Sequence, residues 1–520
     1  MAAEEPPPSR RLVLHFNLPR TLLVGDPDGK GNSEEKPLTT ELALRTALAE
    51  QAWGVIENEE FVLSFPDIQR DRPSEDVTSY TEFLHMKYPI AGQSKFSQDE
   101  NKQTHEQMIM QFADKTGPGA KLKSSFDQML KCLAFPKPLA KALNINNPIL
   151  NEHESEDLRF VAPADENDKE AIAALLARFG RYILVPAFWT LIQTLTKAKR
   201  DFCVVFHSMS SEMLEQAVLE MNAYSNGEHP CFNGQNKTKK VYFNGDKGTK
   251  DMRVQKMDRA TIATRAEIMK FQHRPLELPK PGEEFPLMFE PTVLKRSAGI
   301  YSGLVHRICT ESGCCAVLHD HEYWMSDKKN GGKLYFLDPG DVTDVQQIFF
   351  EGCCSGDDHS ALRIVDVVSQ EVIPHQDVSG VFLHKVEDVR QLVINPLYFV
   401  EAVEKCETAF GTWLEKGRKK KPLFSEADLS DPDAIGGNLL LGGLLSGTGT
   451  GTLSPEDELA LRVLREKGVK DYLYCTVIPV LFGGLEEVVK LRPEDPMEFL
   501  AFYLMRHANG YNRTLRLEEK

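Results

Sequence analysis

Several familiar chemistries are missing from this 520-residue chain. No segment offers the ~20 uncharged apolar residues that a membrane-spanning helix needs. The opening stretch, Met1 to Arg11, contains Pro and Glu but no apolar core, so a secretory leader is not expected. None of the ten cysteines stands in a Cys-x-x-Cys pair, which argues against a zinc ribbon or a thioredoxin-like redox site. There is no Gly-x-x-x-x-Gly-Lys-Ser/Thr loop, no Gly-x-Ser-x-Gly elbow and no His-Glu-x-x-His helix. Phosphate-loop nucleotidases, serine hydrolases and zinc proteases therefore lack support, and a soluble intracellular protein is expected.

Positive charge is also scarce. The net charge is −16, and so acidic a surface repels a phosphate backbone, so nucleic acid is not an expected partner. The run Arg418-Lys419-Lys420-Lys421 goes against that trend. A solvated linker run is its ordinary reading, and a targeting signal is the alternative. The adjacent cysteines Cys314-Cys315 and Cys353-Cys354 are poorly placed to bond each other, because neighbouring Cβ vectors diverge. All the cysteines read as reduced, mostly buried thiols. His319 and His321 flank Asp320 in a His-x-His spacing that suits a metal, but no second cluster in the sequence completes a ligand set. Neither a metal nor a cofactor is expected.

What is present is ample folding material. Apolar residues make up 41% and charged residues 27% of a chain long enough for two to four domains. Leu12-Val13-Leu14-His15-Phe16 reads as a buried strand, followed at once by a second apolar run, Leu22-Leu23-Val24. A helical stretch is expected near 38–53, a strand or hairpin at 55–65, mostly helix over 74–150, and an apolar helix over 168–196. Phe202 to Phe206 is another buried strand, leading into a helix at 210–223. The Asn233-Gly234 and Asn244-Gly245 pairs suggest hairpins within 226–252. Ile348-Phe349-Phe350 and Leu362-Arg363-Ile364-Val365 are further strands, and a helix near 387–416 closes this part. Apolar strands separated by helices predict an α/β fold with a largely parallel sheet.

The tail differs in kind. Residues 417–454 carry the basic run and then a Gly/Leu/Thr-rich tract, a composition that resists packing. Ser454-Pro455 marks a helix start. Beyond it, Leu473, Thr476-Val477, Val480-Leu481, Gly484-Leu485 and Val488-Val489 recur at steps of three and four, which places them on one helix face. Arg492-Pro493 ends that helix. Asp495-Pro496 starts another, with Phe499, Leu500, Tyr503 and Leu504 on its apolar face. Two helices this short bury too little surface alone, and pairing with a second copy covers both stripes. Tyr472-Leu473, Thr476-Val477, Pro479, Leu481, Gly484-Leu485, Arg492-Pro493, Asp495-Pro496, Phe499-Leu500-Ala501 and Tyr503-Leu504 together resemble the Dpy-30 motif, which is similar to the dimerisation and docking domain of cAMP-dependent protein kinase regulatory subunits. The resemblance implies an X-shaped dimer whose groove takes an amphipathic partner helix. Leu473, Val477, Leu481, Leu485, Phe499, Leu500 and Tyr503 are the expected contact residues. Proteins of this kind occur in histone-methyltransferase complexes, nucleotide kinases and ciliary radial-spoke assemblies.

The first 415 residues resemble, in the order of short motifs after strands, a divergent branch of the haloacid dehalogenase-like (HAD) superfamily. Members place an Asp-x-Asp pair after the first strand, the first Asp attacking phosphorus and binding magnesium and the second donating a proton. Here that pair reads Asn17 and Pro19. The second motif corresponds to Ser208, the lysine motif to Lys333, and the acidic magnesium motif to Glu351-Gly352. A neutral amide is a negligible nucleophile, proline has no proton to give, and one carboxylate is a poor magnesium site. The resemblance therefore implies a frame that has lost its reaction. Asp26-Pro27-Asp28-Gly29 offers a shifted acidic pair. As a calcium loop it fails, with Lys30 where a ligand belongs and Pro37 in place of the closing Glu. A turn needs no catalytic explanation.

These readings divide the chain into a disordered stretch 1–11, a HAD-like α/β domain 12–416 with large helical insertions, a flexible linker 417–454, the helical dimerisation and docking motif 455–510, and a tail 511–520. The expected function is a non-catalytic scaffold or assembly subunit that pairs with itself or a related motif and docks a partner's amphipathic helix, with no membrane partner. A cytoplasmic setting is expected, in a ciliary or flagellar axoneme ahead of the nucleus. The alternatives are a magnesium-dependent phosphatase tethered by the same motif and a subunit of a chromatin complex.

Overall fold

In the computed structural model the described residues are 10–26, 29, 37–90, 92–151, 160–163, 165 and 168–255. Shorter segments follow: 258–263, 268–271, 293–295, 300–301, 304–305, 309, 312–322, 333–337, 345–352 and 362–366. Residues 371–419 follow, and then Leu481, Leu485, Val488, Pro496, Leu500 and Leu504 in the tail. Internal contacts separate the chain into Met1–Leu414 and Glu415–Lys520.

The larger unit is α/β. Its strands are β1 (Arg11–Asn17), β2 (Trp53–Glu57), β3 (Glu60–Leu63), β4 (Thr78–Ser79), β5 (Phe202–Ser208), β6 (Arg259–Ala263), β7 (Ile268–Phe271), β8 (Val293–Lys295), β9 (Cys314–His319), β10 (Lys333–Leu337), β11 (Val345–Glu351), β12 (Leu362–Asp366) and β13 (Leu383–Lys385). Eight of them form one sheet in the order β13-β11-β1-β5-β9-β6-β7-β8. From β13 to β6 every pairing is parallel, and β7 and β8 add antiparallel. The expected largely parallel sheet is what forms.

β1 is central, and its sequence explains why. Parallel strands covered on both faces need apolar side chains on both, and Leu12 through Asn17 are all buried. One face carries Leu12, Leu14 and Phe16, which join Val204, Phe206, Ile348 and Phe350. Phe16 stacks on Phe350 with ring centroids 4.5 Å apart, and Phe188 and Phe399 meet it edge-on at 5.5 and 5.2 Å. Phe188 comes from the helix Pro186–Lys197, whose proline occupies the first turn, where its missing N–H costs nothing. The opposite face carries Val13, packed with Cys203, Val205, Val317, Ile300, Tyr301 and Leu304.

Several expected elements are divided or shifted. The helix expected over 168–196 is two, Lys169–Arg178 and Pro186–Lys197. Gly180 takes a φ of 65° between them. The helix expected over 387–416 is likewise Val389–Ile394 and Tyr398–Lys419, interrupted at Asn395-Pro396, because the proline disfavours helical geometry in the residue before it. The apolar run Leu22-Leu23-Val24 follows β1 as a turn. Its chain turns back, with the N–H groups of Thr21, Leu22 and Leu23 all directed at Leu18 O. The Asn-Gly pairs do turn, with φ of 80° at Gly234 and Gly245, but each closes only a single bridge, Asn233 to Lys240 and Asn244 to Asp251. Arg11, expected at the end of a disordered stretch, is the first residue of β1 and is paired with Asp201 at 2.6 Å. Residues 1–9 lie outside the described residues, as do 420–454, which hold nearly all of the expected linker, and Cys353-Cys354.

The stacked rings at the sheet centre should dominate stability. Phe16→Ala should lower the unfolding free energy by about 3–5 kcal/mol. Phe96→Ala, at a ring that is 78% exposed, should leave the urea midpoint unchanged. Equal effects of the two substitutions would contradict this packing.

Candidate functional site

Parallel α/β sheets place their sites at the carboxyl ends of the strands, where neighbouring connections leave in opposite directions. Here β1 lies between β5, which follows it in the main sheet, and β11, which comes much later in the chain. Asn17, Ser208 and Glu351 are the last residues of these three strands. The structure thus brings together three of the expected positions. Asn17 Nδ2 donates to Glu351 Oε1 at 2.6 Å, with both side chains buried. The following turns lock together: a Cβ on Gly352 would come within 2.1 Å of Arg20 O, and Arg20 itself has a φ of 57°. Only glycine fits after Glu351.

The remaining positions are placed otherwise. Pro19 lies in the turn after β1, where its carbonyl accepts from Thr21 Oγ1 at 3.4 Å. Ser208 Oγ accepts from the N–H of Ser210 at 2.9 Å, a local bond at the entry to the helix Ser211–Ser225. Lys333 opens β10, which among the described residues pairs with β12 in a separate two-stranded sheet. Asp26 is buried, and its backbone bridges Leu38 in both directions. That is the geometry of a closed turn.

These donors fit magnesium poorly. The ion requires several oxygens, a carboxylate or two among them. At the junction of β1 and β11 the carboxyl group of Glu351 takes a short hydrogen bond from the Asn17 amide. Ser208 is held by its own turn.

The same face carries a feature that sequence reasoning missed. His15, His207 and His319 stand on the adjacent strands β1, β5 and β9, all buried. His15 Nδ1 lies 2.8 Å from His207 Nε2, and His207 Nδ1 lies 2.9 Å from His319 Nε2. At the other end His15 Nε2 is 2.9 Å from Gln347 Oε1, and Gln347 Nε2 donates to Phe336 O at 3.1 Å. Because that amide nitrogen is the donor, Oε1 must accept. His15 then carries its proton on Nε2, and hydrogen-bond logic assigns the same tautomer to His207 and His319. Phe349 stacks on His15 at 4.3 Å, and Tyr335 lies edge-on to His207 at 4.6 Å. Burial pushes the His15 imidazole down to about 3, against a hydrogen bond donated to Gln347 Oε1 that raises it. Burial therefore keeps His15 neutral at neutral pH within this hydrogen-bonded row. The His319-x-His321 spacing does not act as a pair on one strand: β9 ends at His319, and His321 follows in a helical turn. The available signal was a polar residue inside each of three apolar runs, which means little until the strands are known to be neighbours.

In the tail, Leu481, Leu485, Val488, Pro496, Leu500 and Leu504 are helical. Leu485 is 42% exposed in the single chain, while Leu481 and Leu500 are half-buried. Leu473, Val477, Phe499 and Tyr503 lie outside the described residues.

Comparison with known proteins places the tail but not the large unit. Residues 469–509 match the family model of the Dpy-30 motif. Adenylate kinase 7 of Mus musculus is 41% identical over 51 residues, which is 10% of this chain and 8% of that relative. The chain therefore spans only a small fraction of that relative's length. No solved structure matches. A Dpy-30 motif is a dimerisation and docking element that receives partner helices, and this chain carries one.

The neutral histidine makes a pH signature. His15 takes a proton below about 6.5 when unfolded but only near 3 when folded. The unfolded chain therefore binds more protons in between, and stability is lost as pH falls through that window, by up to ~1.4 kcal/mol per pH unit from this group. His15→Gln should be less stable than wild type at neutral pH. Urea titrations should show the gap narrowing by ~2 kcal/mol on going to about pH 5. A gap independent of pH would mean that His15 is not held neutral.

Proposed function

We propose that this protein is a non-catalytic scaffold subunit. It dimerises through residues 469–509 and offers the resulting groove to an amphipathic helix of another protein, while its large α/β domain serves as a rigid body. The match to the Dpy-30 motif carries the docking half of this reading. An exposed Leu485 on a helix supports it, because so large an apolar side chain gains about 1.5–3 kcal/mol when a partner covers it.

The scaffold half rests on the carboxyl edge of the sheet. We read the large domain as a HAD-like frame with its reaction removed. Asn17 stands at the nucleophile position and is spent on Glu351, Pro19 cannot give a proton, and Lys333 belongs to another sheet. Residues that would attack, protonate and neutralise charge in phosphoryl transfer are thus replaced or engaged. The setting that suits such a body and such a dock is a ciliary or cytoskeletal assembly in the cytoplasm.

The docking half is tested on the full chain. At tens of micromolar, wild type should sediment as a dimer. Leu485→Asp should sediment as a monomer with unchanged thermal unfolding of the large domain, because a carboxylate at a covered seam has no partner. Leu491→Asp, past the stripe, is the milder control. A monomeric wild type would contradict the proposal.

A further inference from the structure

Cysteines dispersed in the sequence converge in the fold. Cys203 lies on β5 and Cys315 on the adjacent β9, where Val205 is the partner of Cys315 in the parallel register. Alternation along each strand turns both toward the face that also carries Val13 and Val317, while Cys314 joins the opposite core. Cys309 comes from the segment that covers this face. All three are fully buried, and their sulfurs lie within 4.8 Å of one another. Cys309 and Cys315 are 3.9 Å apart. The Cys203 and Cys315 thiols point at the same carbonyl, Val204 O, at 3.6 and 3.7 Å.

That spacing matches a shared metal. Thiolates bound at about 2.3 Å in tetrahedral or trigonal geometry stand roughly 3.8–4.0 Å from one another. Simple packing of neutral thiols would require no such convergence. Charged groups flank the site. Arg11 donates to Cys309 O, and Lys250 donates to Phe202 O, next to Cys203. Both cations share one carboxylate, Asp201, at 2.6 and 3.8 Å, and a second carboxylate, Asp258, accepts from Ser312 Oγ. A cleft of about 400 Å³, lined by Arg11, Lys199, Arg200 and Lys250 together with Asp201 and Asp251, lies at this end of the sheet.

We propose that Cys203, Cys309 and Cys315 form a buried trithiolate site for one thiophilic d¹⁰ cation, Zn(II) or Cu(I). Sulfur donors select these ions over magnesium or calcium. Cu(I) is satisfied by three thiolates, and Zn(II) takes one further ligand. Loading forms three metal–sulfur bonds and releases the three thiol protons, with no change of oxidation state. The site is distinct from the Asn17–Glu351 junction and does not depend on the docking proposal.

The experiment uses the full-length protein under anaerobic reducing conditions. It is titrated with Zn(II) alone and with Cu(I) alone against chromophoric chelators, with metal content by mass spectrometry. One equivalent of either ion should bind, and the ion that binds more tightly assigns the site. Cys309→Ser and Cys203→Ser should weaken binding at least about tenfold, while Cys406→Ser, a buried cysteine on the helix Tyr398–Lys419, should not. X-ray absorption on the loaded wild type, which needs no variant to fold, should show a first shell with three sulfurs. No bound equivalent of either ion, unchanged affinity in Cys309→Ser, or a shell dominated by nitrogen and oxygen would each overturn the site.

Discussion

The constraint on which the large domain depends is the burial of β1 on both faces. A strand covered by core on one side and by core on the other can carry polar groups only if the sheet itself satisfies them. β1 carries two, His15 and Asn17, and both are satisfied sideways. His15 bonds to Gln347 on β11 and to His207 on β5. Asn17 bonds to Glu351 on β11. The hydrogen bonds that make these residues tolerable also tie three strands together at one level. Removing any one member would leave a partner buried without its bond, at a cost of about 1–3 kcal/mol.

We read this edge as structural rather than reactive on the same grounds. A nucleophile has to be charged and accessible, and a magnesium site needs open oxygen ligands. Asn17 is neutral and fully buried, its amide is directed at the nearest carboxylate, and Gly352 brings the β11 turn against Arg20 O. The tail has the opposite character. A single Dpy-30 hairpin leaves apolar surface such as Leu485 uncovered, which is an invitation to a second copy and to a partner helix. One part of the chain uses polar groups to close itself, and the other uses apolar groups to stay incomplete.

Local patterns in the sequence were readable wherever the physics is local. The apolar runs at 12–16, 202–206 and 348–350 became β1, β5 and β11, and the helical stretch expected near 38–53 holds the helix Thr40–Glu50. The tail was legible because its residue pattern is contiguous, and residues 469–509 match the motif that pattern resembles. Asn17, Ser208 and Glu351 were found because each ends an apolar run. Long-range neighbours were not legible. His15, His207 and His319 are separated by 192 and 112 positions, and nothing in their spacing shows that β1, β5 and β9 are adjacent. Cys203 and Cys309 were missed for the same reason. The breaks at Gly180 and before Pro396 were visible, but helical periodicity on either side concealed them.

The account turns on the claim that the junction of Asn17 and Glu351 is closed to chemistry. The direct measurement is magnesium-dependent hydrolysis of small phosphomonoesters by the purified full-length protein, compared with Glu351→Gln and Asp26→Asn. The account predicts no hydrolysis above a protein-free control in any of the three. Turnover by wild type that is abolished in Asp26→Asn would contradict it and place a working nucleophile in the turn after Val24.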